Sequence, residues 1–564
     1  MNITTQNHTN ASVKSSKLHQ EKSSTTKPLQ PLDINKNKRS RGVKEMNDVE
    51  DNPFRDTNQD KLNLNKSSYT SFLKTQNLLN TPAIATTSNN PFKSNTIFHD
   101  QEKESNANHP IIPQSHQQLT LTQYNEYHED DEDIALEVLE DMQKLEQNFP
   151  ILAKDYRLID KIGEGTFSTV YKAEALNGSI NQKYDIWKSP PTKKSKLTKK
   201  NAIVALKQIY VTSSPNRIYN ELNLLYILSG NQRVAPLLDV LRHQDQILAI
   251  LPYYHHYDFR EFYRDLPIKG IKKYMWELFL SLEFVHSKEI IHRDLKPTNF
   301  LYDPFKGKGA LVDFGLAEQQ ITPLPNSATS CPCNSKTNVL SHKSLSRRMN
   351  VKGAYPKADN RPPRRANRAG TRGFRAPEVL FKCTNQTTQI DIWSAGIIGF
   401  SLLTRKFPLF NSPDDTDAIL ELAWIFGYEK MVKCAELHGC GMEISISDIY
   451  KSSGNLFKIL FGFLKEEIDN SSIPDDSVIY DTFKLFDSNG EKFLKPYFVE
   501  DKDEPSEMNE YQARKDKEID NYKDHKLLMD LLYSCLRLDA NKRLTAKQVL
   551  NHPFFQELTD ETVF

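Results

Sequence analysis

The stretch I-I-H-R-D-L-K-P-T-N-F-L, Ile290 to Leu301, constrains this chain more than any other. A carboxylate, an ammonium and an amide follow one another as D-x-K-x-x-N between apolar segments of strand type, a spacing for which chance is a poor explanation. The three groups suit the transfer of an anionic group. Asp294 can orient an attacking hydroxyl and accept its proton, Lys296 can neutralise charge on a phosphoryl group, and Asn299 offers a neutral oxygen to Mg²⁺. Soon after, A-L-V-D-F-G-L-A sets Asp313 at the end of a buried-type strand, as a second candidate Mg²⁺ ligand.

Upstream, Y-R-L-I-D-K-I-G-E-G-T-F-S-T-V-Y-K-A reads as strand, glycine-rich turn, strand, with Ile162, Gly163, Glu164, Gly165, Thr166, Phe167, Ser168 and Val170 as candidate nucleotide contacts. Glycine lets backbone N–H groups approach phosphate oxygens closely; Ser168 stands where a third glycine is often found. The next strand, A-I-V-A-L-K-Q-I-Y-V, carries Ala205 and Lys207. A lysine beside an apolar strand requires an anionic partner, and Glu221, in the helical pattern R-I-Y-N-E-L-N-L-L-Y-I-L, can provide one. From these two elements alone, unrelated surface charges are an equally open reading. Further on, G-T-R-G-F-R-A-P-E-V-L supplies Thr371 and Glu378, and D-I-W-S-A-G places Asp391 at the start of a strongly apolar helix.

As an ordered set these motifs resemble the eukaryotic protein kinases, from about Leu158 to Phe555 with inserts set aside. The resemblance implies an α+β, bilobal fold: a β-rich N-lobe with one key helix over 149–251, then a mainly helical C-lobe over 252–558, with ATP between them. It implies Asp294 as catalytic base, Lys207 and Glu221 as the pair that orders ATP, and Asn299 and Asp313 as Mg²⁺ ligands. Leu251, Pro252, Tyr253 and Tyr254 become the hinge that receives adenine, and Glu378 and Arg543 a structural ion pair. Lys296 together with Thr371 resembles the serine/threonine branch.

Inserts at about 175–201, 319–367 and 430–525, the missing third glycine and the lengthened segment before A-P-E resemble the DDK kinases, which fire replication origins. That resemblance implies phosphorylation of the replicative MCM helicase, dependence on an activating regulatory subunit, and a nuclear location. Arg361, Arg364, Arg365, Arg368, Arg372 and Arg375 crowd the end of the same segment, where guanidinium groups can read an acidic or phosphorylated residue beside the target hydroxyl; Arg368 and Arg372 are the preferred candidates. Two alternatives stay open: another acid-directed kinase, resembling the casein kinases, and a pseudokinase scaffold. Retention of Lys207, Asp294 and Asp313 speaks against the scaffold.

Composition sets the remaining limits. Lys plus Arg total 74 against 73 Asp plus Glu, so recognition is local rather than a global field, and no sequence-specific nucleic-acid binding is expected. Residues 1–130 are rich in Asn, Ser, Thr, Gln and Lys without period and read as a disordered tail, followed by a helical lead-in over 131–148. Basic clusters at Lys36–Lys44 and Pro190–Lys200 are candidate import signals. Six irregularly spaced cysteines, and no apolar run long enough to span a bilayer, fit a soluble protein of a reducing compartment. Cys331-Pro-Cys333, with His342 downstream, could begin a zinc site, three of whose four ligands are then in view; free loop thiols are the alternative reading.

Overall fold

The structure, a computed structural model, describes residues 55–56, 134–188, 201–320, 331–334, 366–452, 454–498 and 508–561. Most of the expected tail, both basic clusters, Arg361, Arg364, Arg365 and His342 lie outside these residues. Among the described residues no helix is long and apolar enough to cross a membrane.

The first lobe is a six-stranded sheet in the order β1-β5-β6-β4-β3-β2. Its strands are β1 (Arg55–Asp56), β2 (Tyr156–Glu164), β3 (Ser168–Ala175), β4 (Ile203–Ile209), β5 (Asp239–His243) and β6 (Gln246–Pro252). Each neighbour pair is antiparallel except β1, which runs parallel to Leu241 and Arg242 of β5 and covers the backbone groups of that edge. Along β3 every second residue is buried, the period-two pattern of a half-covered sheet. One face rests on Met142 and Leu145 of helix α1 (Leu136–Asn148) and on Phe149.

The first insert begins as a helix, α2 (Gly178–Lys188), and buries Ile180 in this core. The Asn181 amide closes the base of the insert: Nδ2 donates to the Ala175 carbonyl at 3.1 Å, and Oδ1 accepts from the Ala202 N–H at 2.7 Å. Helix α3 (Pro215–Ile227) opens on an N-cap, Ser214, that accepts from Arg217 N–H, with proline in its first turn. Its inner face carries Ile218, Leu222, Leu225 and the buried Glu221.

The second lobe is built on α4 (Ile268–Ser287) and α5 (Gln389–Thr404). Helix α5 is apolar around nearly its whole circumference and buried along its length, as a central helix must be. Helices α6 (Asp415–Phe426), α7 (Tyr428–Leu437), α8 (Leu456–Asn470) and α9 (Met508–Cys535) surround it. The third insert is therefore largely helical. Leu456, Leu460 and Leu464 of α8, spaced one turn apart, enter the same core as α5, so charge runs in the sequence mask a packed layer.

Two short ladders frame the stretch that opened the sequence reading. Strands β7 (Ile290–Ile291) and β10 (Glu318–Gln319) pair antiparallel, with Glu318 opposite Ile291; β8 (Phe300–Asp303) pairs with β9 (Lys308–Leu311).

Candidate active site

Burial of the Asp391 carboxylate beneath the catalytic stretch sets its backbone. Oδ2 accepts from the His292 N–H at 2.8 Å and Oδ1 from the Arg293 N–H at 2.9 Å, while His286 Nε2 lies 3.0 Å from Oδ2. Burial raises the Asp391 pKa, but hydrogen bonding to His286 and the charges of His286 and His292 outweigh it and keep the group ionised. The anchor holds Arg293 at φ +69°, a left-handed conformation a non-glycine residue adopts only when its surroundings impose it.

From that platform Asp294 and Lys296 point to one place. Lys296 Nζ lies 2.8 Å from Asp294 Oδ2, and Asp294 Oδ1 accepts from both the Thr371 N–H at 2.8 Å and the Thr371 hydroxyl at 2.6 Å. Desolvation opposes ionisation of Asp294, but Lys296 and Thr371 hold its pKa below the ordinary carboxyl value. Asn299 donates from Nδ2 to the Asp294 carbonyl at 2.8 Å, which leaves its side-chain oxygen as the atom suited to a cation.

Across the cleft, Lys207 bridges Glu221 at 2.6 Å and Asp313 at 2.8 Å. Burial alone would lower the lysine pKa; the two carboxylates outweigh burial and raise it. Desolvation likewise pushes Asp313 up, and Lys207 holds it down at about 2. The sequence thus places these three charges in three elements, and the fold joins them into one chain.

A cavity of about 320 Å³ opens between the two groups, lined by Gly165, Thr166, Phe167, Ser168, Lys207 and Glu221 on one side and Asp294, Lys296, Asp313, Gly370 and Thr371 on the other. Ile162, Gly163, Glu164, Val170, Ala205 and Leu251–Tyr254 do not line this cavity; they sit on the sheet and the chain leaving it, with Ala205 paired to Leu251 and the Tyr253 N–H donating to the Ile203 carbonyl at 3.2 Å. Among the wall residues that escaped the sequence reading is Arg217. Arg217 of α3 stacks its guanidinium 3.7 Å from the Phe167 ring centre and donates from Nε to the Gly315 carbonyl at 3.0 Å, tying the glycine-rich turn to the segment after Asp313. An arginine on a helix face carries no local signal for such a role.

The segment's return to the C-lobe is equally close-fitting. Gly370 has φ +108°, and a Cβ there would come within 2.5 Å of the Arg293 carbonyl oxygen, so only glycine permits the approach that brings Thr371 to Asp294. The Arg293 side chain lies beneath. Its two terminal nitrogens donate to Gln386 Oε1 and Glu318 Oε1; Gln386 Nε2 donates to the Asn367 carbonyl at 2.8 Å, and Asn367 Nδ2 to Glu318 Oε2 at 2.9 Å. The four residues form a closed ring that fastens both ends of the second insert.

Of the candidate recognition arginines, Arg368 and Arg375 pair with the same carboxylate, Asp415, at 3.2 and 2.5 Å, and Arg375 Nε also donates to the Gly370 carbonyl. The Arg372 carbonyl accepts from the Arg375 N–H at 3.1 Å, while its exposed side chain has no ion-pair or hydrogen-bond partner among the described residues. Below them, Arg543 makes a two-pronged contact with Glu378 at 2.6 and 2.7 Å, both side chains fully buried.

Of the expected metal ligands, Cys331 and Cys333 are described, and they lie with Cys383 and His438; the ligand atoms of all four fall within 4.8 Å of one another. Cys331 Sγ is 3.5 Å from His438 Nδ1, and Cys333 Sγ is 3.5 Å from Cys383 Sγ. Hydrogen bonds from Cys333 and Cys383 push the Cys331 thiol down, and the same bonds to Cys331, with burial, push those two up.

The protein kinase domain family matches residues 156–555. The cell cycle serine/threonine-protein kinase hsk1 of Schizosaccharomyces pombe is 40% identical over 77% of this chain and 80% of its own length, and the cell cycle protein kinase spo4 of the same yeast is 35% identical over 75% and 90%. The human cell division cycle 7-related protein kinase is 27% identical over 75% of this chain and 93% of its own length. A bilobal fold, a glycine-rich turn over a lysine, a D-x-K-x-x-N stretch facing a D-F-G aspartate, and these likenesses converge: the chain belongs to the protein kinases, and within them to the serine/threonine cell-cycle kinases of the cell division control protein 7 family.

Proposed function

We propose that this chain is the catalytic subunit of a DDK-type kinase of the nucleus, which transfers the γ-phosphoryl group of ATP to serine or threonine flanked by acidic or phosphorylated residues. In this reading the MCM helicase is its substrate and a regulatory subunit its activator. The observation that carries the substrate preference is the trio Arg368, Arg372 and Arg375 around Thr371, itself bonded to Asp294. An anionic group next to the target hydroxyl meets the exposed Arg372 and competes with Asp415 for Arg368.

Asp294 orients the hydroxyl and takes its proton, and Lys296 counters charge on the group in transfer. Bound Mg²⁺ neutralises phosphate charge; Asn299 and Asp313 have the oxygen atoms to hold it, and Lys207, steadied by Glu221, meets the nearer phosphates. The glycine-rich turn from Ile162 to Ser168, with Val170, Ala205 and Leu251–Tyr254, encloses the rest of the nucleotide.

The test is transfer to paired peptides with Ser followed by Asp, phosphoserine or Arg, by the chain alone and with the proteins that co-purify from its own cells. Acidic peptides are expected to be favoured about tenfold or more, and Arg368→Ala with Arg372→Ala to erase the preference, since each charge-assisted bond contributes roughly 1.5–3 kcal/mol. An unchanged preference in the double variant, or full activity without a partner, removes the corresponding part of the proposal.

The three thiols and the imidazole belong to a structural zinc site in this reading. Four ligands about 2.3 Å from a tetrahedral ion lie roughly 3.8 Å from one another, close to the spacings here. Metal analysis of chain purified without chelator is expected to find about one zinc per chain, lost in Cys383→Ser and in His438→Ala; zinc retained in both variants overturns the ligand set.

A further inference from the structure

We infer that Glu318 supplies, from within the chain, the negative charge that Arg293 needs, so that the lengthened segment is set for phosphoryl transfer without a phosphate on it. The inference rests on the kinase activity of the family and not on the substrate preference proposed above.

Arg293 is an awkward residue to bury. Its side chain is 2% exposed, and a guanidinium in that setting requires a counter-charge. Among the described residues the one carboxylate paired with its guanidinium is Glu318, brought there by register: β10 pairs with β7 so that Glu318 stands opposite Ile291, two residues before the arginine. Both terminal nitrogens are engaged, one by Glu318 and one by Gln386; only Nε lacks a partner. The charge is balanced at this clasp. A phosphoryl group would add about −1.5 to −2 beside a carboxylate already in place, and like charges at contact repel.

The clasp also has a line to the reaction. Glu318 holds Asn367, which precedes the tight turn at Gly370; Gly370 packs against the Arg293 carbonyl; and Thr371 follows with its two bonds to Asp294. Glu318 is therefore a positioning residue. Its charge orders the arginine and the ring, and the ring sets the distance between Thr371 and Asp294.

The experiment uses the full chain with its co-purifying proteins, as wild type, Glu318→Gln and Glu318→Asp, each with and without phosphatase treatment. Rates are taken in the first turnover on whichever paired peptide the wild type phosphorylates. Wild type freed of phosphate on residues 320–370, checked by mass spectrometry, is expected to keep its rate within about twofold. Glu318→Gln, similar in shape but neutral, is expected to lose about tenfold in the first-turnover rate at saturating ATP, the scale of one charge-assisted bond, with the ATP concentration for half-maximal rate unchanged. Glu318→Asp, shorter but charged, keeps more activity than Glu318→Gln. A role in shape alone reverses that order. The inference is overturned if phosphate removal from the segment abolishes wild-type transfer, if Glu318→Gln is as active as wild type, or if Glu318→Asp falls below Glu318→Gln.

Discussion

Replacing Asp294 with Asn is expected to lower phosphoryl transfer by roughly 10³-fold, within the range of a lost positioned base. The substitution keeps size and leaves an acceptor at the position of Oδ1, so the two bonds from Thr371 survive, as does the Asn299 bond to the backbone carbonyl. What disappears is the negative charge that pairs with Lys296 and the site for the hydroxyl proton. ATP binding, for which the proposed contacts Lys207, Glu221 and Asp313 lie across the cleft, is expected to persist. Single-turnover transfer beside equilibrium ATP binding separates the two. A loss below about tenfold would take Asp294 out of the proton-accepting role, because a general base contributes at least 10²-fold.

The second large effect concerns folding. Arg543→Ala strips the partner from a carboxylate that lies fully inside the C-lobe and should destabilise the protein by about 3–5 kcal/mol, the penalty for an unpaired buried charge. Glu378→Ala should cost a similar amount by leaving the guanidinium unpaired. The arginine does more than pair: it also donates to the Arg537 and Gln389 carbonyls and lies 5.1 Å from the Trp393 ring centre, so it joins the first turn of α5 to the segment that follows α9. Urea unfolding of each single variant measures the loss. A change under about 1 kcal/mol in either would mean that water reaches the pair, contrary to its burial.

These two sites were legible in the sequence for different reasons. Asp294, Lys296 and Asn299 lie within one short stretch, where spacing along the chain is already spacing in space, and their chemistry follows from residue type. Glu378 and Arg543 are 165 residues apart, and only resemblance to a known family paired them. The glycine-rich turn was readable through its strand–turn–strand pattern, whereas the lobes and the Lys207 partner followed from the family resemblance that the ordered motifs carry. What stayed hidden is what the fold assembles from distant places. Cys383 and His438 stand 50 and 107 residues from the cysteines they meet, beyond any local pattern. Asp415 reads locally as a first-turn acid of α6, and its hold on Arg368 and Arg375 emerges only when that helix docks beside the returning segment. The leucines of α8 did carry a helical period, but flanking charge obscured it.

The ring of Arg293, Glu318, Asn367 and Gln386 bears on how such a kinase can diversify. Both ends of the second insert are fastened to each other and to the catalytic stretch, so the reaction centre feels the fastening points rather than the length of chain between them. The entropy of closing a loop grows only with the logarithm of its length; doubling the insert adds only about 0.6 kcal/mol. Outside Cys331 to Asn334, whose two thiols meet Cys383 and His438, lineages can therefore lengthen, shorten or rewrite the sequence between Gln320 and Ala366 at small thermodynamic penalty. New docking motifs can be acquired there while the chemistry is inherited unchanged.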